Sequence, residues 1–189
     1  MSLFFLCLFL MALPLRAAIG SRRTRPAHRM LIRFTRLDDK RHALEIVRAD
    51  GSSERVELET KSLWLHDLTH YAVEAEAGIQ DGFWGLLASG KTLAEMNDRT
   101  GKGIEGYAER MGAVEMLVGA VSGALSGVPL ESVSENIKGY FEHLGRGGSF
   151  PAWLTSEYIG RVHGRMRSLV GHWNGTPFGD TMELEWKEA

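Results

Sequence analysis

Residues 30–59 read MLIRFTRLDDKRHALEIVRADGSSERVELE, and their period-two pattern decides the fold class. In the first run Ile32, Phe34 and Arg36 alternate with Leu31, Arg33, Thr35 and Leu37, which predicts a half-buried strand. Asp38-Asp39-Lys40 is a turn, and His42 to Ala49 predicts a second strand with Leu44, Ile46 and Arg48 in one phase. Asp50-Gly51-Ser52-Ser53 is a hairpin turn, because Asp-Gly readily takes positive φ. Glu54 to Glu59 predicts a third strand with Val56 and Leu58 facing the core. Three antiparallel strands with one apolar face need a cover.

The pattern downstream predicts a helical cover. Apolar residues 64, 65, 68, 72 and 75 recur at helical spacing in a helix over 63–77, capped by Thr60 or Ser62 and ended by Gly78. Gly82-Phe83-Trp84-Gly85 opens a short helix through Ala88, and Gly90 breaks it before another over Leu93–Asn97. The aromatics of that stretch read as a core plug, or else as a pocket wall or lid hinge. A long helix from Ile104 to about Leu125 is apolar nearly all round in AVEMLVGAV, which predicts a central, buried element. A helix over 130–144 follows, then one from Pro151 to about Trp173 with Leu154, Tyr158, Val162, Met166, Leu169 and Trp173 on one side. The tail TMELEW alternates Met182, Leu184 and Trp186 against polar residues and predicts a fourth strand joining the N-terminal meander. The expected fold is α+β: an antiparallel sheet of about four strands packed on a bundle of about five helices.

Composition bounds the chemistry. The 44% apolar and 24% charged fractions of these 189 residues fit one globular domain, taken here as 30–189. Five arginines fall in residues 1–29 with no acid, which leaves 17 Lys and Arg against 24 Asp and Glu in the remainder. A body at net −7 does not attract nucleic acid, so no nucleic-acid partner is expected. The single cysteine, Cys7, lies outside that body, which excludes a thiolate metal site there. Any metal would use His, Asp and Glu.

Residues 3–15, LFFLCLFLMALPL, are of signal-peptide length and too short to span a bilayer as a helix. Basic RRTRPAHR follows the apolar run, the reverse of the usual export order. Three readings stay open for 1–29: an over-extended start ahead of Met30, a signal or anchor, and a basic tail. A Met30 start implies a cytoplasmic protein; a genuine 1–29 implies export or N-terminal anchoring.

LWLHDLTHYAVEAEAG, residues 63–78, concentrates the candidate chemistry. On one helix His66 and His70 lie about 6 Å apart along the axis and about 40° apart around it, the spacing at which two imidazoles share a metal. His70 and Glu74 form a second such pair, but His66 and Glu74 are about 12 Å apart, too far for one ion. A further ligand must come from elsewhere. Glu115 is the best candidate, being the only charge between Met111 and Ala120, where an unpaired carboxylate would be costly; His163 is a second. Such a His–carboxylate set suits zinc, iron or manganese, with Asp67 orienting a ligand or acting as general base. The alternative is that these residues only form a polar rim. Gly101-Lys102-Gly103 offers amides to an anion without the full phosphate-loop spacing. The basic cluster Arg161, His163, Arg165, Arg167 and His172 reads as a solvated helix face.

The run LHDLTHYAVEAEAG…GFWGLLASGKTLAEMND, behind a meander starting at Met30, resembles an uncharacterised bacterial protein family across residues 30–189. That resemblance implies a start at Met30 and brings no activity with it. His66, Asp67 and His70 are also similar to the His-Asp-x-x-His of the ubiquinone-biosynthesis scaffold family. That pattern continues with eleven residues and a Glu, and the matching position here is Gly82, which leaves its ligand set incomplete. The functional expectation is therefore a divalent-metal-binding protein, with metal-dependent hydrolysis as the reaction such a site would support. The alternative is a non-enzymatic binding or interaction module.

Overall fold

The computed structural model describes residues 29–98, 100–125, 127–143 and 153–187. The expectations for residues 1–28, for the turn at 146–149 and for Pro151 lie outside them. Strands β1 (Arg29–Arg36), β2 (Arg41–Val47), β3 (Ser53–Glu59) and β4 (Thr181–Lys187) form one antiparallel sheet in the order β3-β2-β1-β4. The C-terminal strand thus closes on β1, and the α+β expectation holds. The cover consists of α1 (Leu65–Ala77), α2 (Phe83–Ala88), α3 (Leu93–Met96), α4 (Ala108–Leu125), α5 (Leu130–His143) and α6 (Ser156–Gly175). None of the described helices is long and apolar enough to cross a membrane.

The sheet separates its two faces by strand alternation. Met30, Ile32, Phe34, Leu44, Ile46, Met182 and Trp186 are buried on the inner face. Phe34 sits opposite Leu44 on one side and Met182 on the other. On the outer face Arg33 reaches Glu183 at 2.8 Å and Glu45 at 3.3 Å, a charge ladder across three strands. Hairpin β2–β3 turns at Gly51, whose φ of 86° needs a residue without Cβ. Asp50 Oδ1 accepts the Ser52 amide there at 2.8 Å.

Aromatic rings join the layers. Trp84 of α2 meets Phe34 edge-on at 6.3 Å, and Trp186 of β4 meets Tyr71 of α1 at 6.2 Å. Trp64 stacks on Trp173 of α6 at 4.9 Å. Trp84 is fully buried and plugs the core, while Phe83 is half-buried. Arg48, in phase with Leu44 and Ile46, donates to the carbonyls of Leu87 and Lys91 at 2.7 Å and pairs with Glu54. It fastens the α2–α3 connection to the sheet.

Expectations for three of the helices need correction. The first helix does not start from a Thr60 or Ser62 cap: Thr60–Trp64 form a wide π-helical turn that runs directly into α1, with no side-chain cap. The Thr60 hydroxyl lies 3.3 Å from His42 Nδ1 instead. Leu65, assigned to the apolar stripe, is 40% exposed. The long helix starts at Ala108, after a 3-10 turn over Lys102–Ile104 and a positive φ at Gly106. It is not the central one either, because Gly112 and Gly119 face outward. The apolar count there came from small residues that cost little to expose. The central helix is α1, where every residue from Leu68 to Glu74 is buried. It packs on α4 and α6. The last helix starts at Ser156, where the Thr155 side chain accepts the Tyr158 amide. Leu154, placed on its apolar side, is buried just ahead of that start.

Candidate metal centre

Because α1 is buried from Leu68 to Glu74, its polar residues 70 and 74 must find partners within the protein. The i,i+4 spacing brings His66 and His70 together with ring centroids 4.7 Å apart. α4 crosses α1 and supplies Glu115. Its Oε2 lies 3.5 Å from His66 Nε2 and its Oε1 lies 3.2 Å from His70 Nε2. One ligand atom from each of the three residues lies within 4.8 Å of the others. Two donors bound to one tetrahedral zinc are about 3.3 Å apart, so the two His–Glu separations fit a shared ion.

His70 Nε2 carries the most information. It is buried and, despite its distance to Glu115, has no hydrogen-bond partner of acceptable geometry among the described residues. Its neighbour therefore converges on the same space without bonding along its axis. His42, Trp64 and Trp186 also have a buried ring nitrogen without a partner. Only His70 turns that nitrogen towards a carboxylate and a second imidazole.

The other nitrogens of both rings face carboxylates too. His70 Nδ1 donates to Glu74 Oε1 at 3.1 Å, and His66 Nδ1 lies 3.9 Å from Asp67 Oδ1. Glu74 is thus not beside the shared space. It sits behind His70, where its Oε1 and Oε2 accept the amides of Phe83 and Trp84, each at 2.9 Å. Asp67 likewise stands at the ring nitrogen remote from Glu115, and its backbone carbonyl accepts the Trp84 indole N–H at 3.2 Å. A Cβ at position 82 would start 2.5 Å from the Glu74 carboxyl carbon. The carboxylate of Glu74 fills the space that a larger residue at 82 would claim.

The electrostatics follow from this arrangement. The nearby carboxylate of Asp67, then that of Glu115, pushes the His66 pKa up to about 9. Burial opposes a charge on His70, but Glu115 and Glu74 outweigh it and the pKa rises. Burial would likewise raise Glu115, yet the two histidines hold its carboxyl well below the usual carboxylate range. The two imidazoles thus hold protons against an ionised Glu115.

Sequence reasoning missed His42. It is buried on β2, edge-on to Trp173 at 6.1 Å, and burial pushes its pKa down against the pull of Asp67. Its signal was available: position 42 is in phase with Leu44 and Ile46. It stands outside the ligand group, and so does His163. The Gly101-Lys102-Gly103 amides are already engaged by Asp98 O, Thr100 Oγ1 and Asp98 Oδ2. Arg161 and Arg165 of the basic cluster pair with Glu76. Comparison with protein-family models, curated proteins and solved structures found no match to this chain.

Proposed function

We propose that this chain is a divalent-metal-binding protein whose ion is held by His66 and His70 of α1 and Glu115 of α4. The observation that carries the reading is the buried Nε2 of His70, which makes no well-aligned hydrogen bond although it lies 3.2 Å from Glu115, with His66 beside it. Two imidazoles and one carboxylate suit zinc, iron or manganese. Glu74 and Asp67 fit the orienting position at the far nitrogens, as carboxylates behind metal-binding histidines commonly do.

Metal-dependent hydrolysis is the chemistry such a set supports best. Structural zinc sites take four protein ligands, whereas catalytic ones take three and leave a position for water or substrate. Here three ligands converge, and the His66 side chain is 41% exposed, which opens the centre to solvent on that side. A bound ion would lower the pKa of its water and polarise a carbonyl or phosphoryl oxygen. The proton would pass to Asp67 only if its carboxylate turns away from His66.

Cobalt(II) titration tests the reading, since tetrahedral cobalt absorbs visibly. The wild type should develop that band at one equivalent, and His66→Ala should lose it. A chain that never develops the band, with assays of simple ester and phosphoester substrates also metal-independent, would favour the interaction-module alternative.

A further inference from the structure

Resting on the metal reading above, we propose that Glu74 is the positioning residue of the centre. It holds His70 as the Nδ1–H tautomer with Nε2 left for the ion, and position 82 is glycine to make room for it. Glu74 lies one turn beyond His70 and is fully buried. Its Oε1 accepts from His70 Nδ1 at 3.1 Å and from the Phe83 amide at 2.9 Å, while Oε2 accepts from the Trp84 amide at 2.9 Å. Both oxygens already receive backbone N–H groups, so Nδ1 of His70 is the donor in the pair.

The amides of Phe83 and Trp84 open α2 and have no acceptor within that helix. Glu74 satisfies them from α1, and this fixes the carboxylate against rotation. A fixed acceptor at Nδ1 fixes the imidazole ring, because which nitrogen binds metal is set by the bond the other makes. The Phe83 ring, 5.5 Å from the His70 ring, braces it from α2. Gly82 completes the arrangement. Its φ of −90° is open to any residue, so the requirement is space. An added Cβ would lie 2.5 Å from Glu74 Cδ and 2.7 Å from Oε2. A larger residue there requires the Glu74 carboxylate or the chain at 82 to shift, which disturbs its hold on the three donors.

The test uses zinc alone, titrated against a chromophoric chelator, on the untagged full chain and on Glu74→Gln and Gly82→Ala. The wild type should take one equivalent. Both variants should keep their helix content and bind about 10- to 100-fold more weakly, although neither changes a ligand. A 15N-histidine NMR spectrum of the zinc-loaded wild type should show His70 protonated at Nδ1 and zinc-bound at Nε2. Glu74→Gln should lose the slowly exchanging Nδ1–H. Equal affinities in all three chains, or His70 bound through Nδ1, would overturn the positioning role and leave the metal reading intact. A wild type that takes no zinc would bring down the metal reading and the positioning role with it. Should both variants fail to fold, the wild-type spectrum decides alone.

Discussion

At the scale of residues, each imidazole of the pair has a carboxylate at both nitrogens: Asp67 and Glu115 for His66, Glu74 and Glu115 for His70. These carboxylates favour protonated imidazoles, which gives the cluster a defined pH behaviour. The folded pKa of His66, about 9, lies above the ordinary 6.5. Its stabilising contribution is therefore complete below pH 6.5 and lost as pH rises through about 9. Water screens a side chain that is 41% exposed, so the effect on thermal midpoint should be small. Metal-free wild type should lose stability between pH 6.5 and 9 more steeply than His66→Gln in parallel melts; equal slopes would contradict the pairing. Glu115→Gln should lower the His66 pKa, measured by NMR titration, and weaken zinc by more than tenfold, about 1.4 kcal/mol or more. The histidine pair was legible from its spacing and Glu115 from its isolation among apolar residues. The place of Asp67 beside a ligand was anticipated too, but that of Glu74 behind His70 was not, because spacing alone cannot say which ring nitrogen a carboxylate meets.

At the scale of elements, the centre depends on how α1, α2 and α4 are held. Gly85 packs so closely that an added Cβ would lie 2.1 Å from the Gln80 carbonyl oxygen. Gly85→Ala should therefore destabilise the protein by about 1–3 kcal/mol in urea unfolding, as overpacking does; an unchanged midpoint would show that the 80–85 turn yields freely. The strands were readable because period-two patterns survive any detail of packing, and each turn carried its own chemistry. Helix order within the cover was harder to read. α4 looked central because alanine and glycine count as apolar, yet its glycines face outward. α1 looked amphipathic because it carries His70 and Glu74, yet both are buried and paired. Which helix is wrapped by others is a tertiary fact that local periodicity does not contain.

At the scale of the whole molecule, β4 joins the end of the described chain to β1 at its beginning. Trp186 is buried opposite Met30 and packs on Tyr71 of α1, so it ties the last strand to the helix that carries the centre. Trp186→Ala should cost about 3–5 kcal/mol of unfolding free energy and lower the thermal midpoint of the entire domain in one cooperative step. A separate early transition confined to the sheet would contradict that coupling. The closing strand was legible from its alternation, but its partner was not, since either edge of the meander could have received it. The most direct test of the central claim is elemental analysis of untagged full-length chain beside His70→Ala, both purified without chelator and dialysed alike. The account predicts close to one divalent ion per chain in the wild type and a trace in the variant. Equal trace metal in both, with both folded, would contradict it.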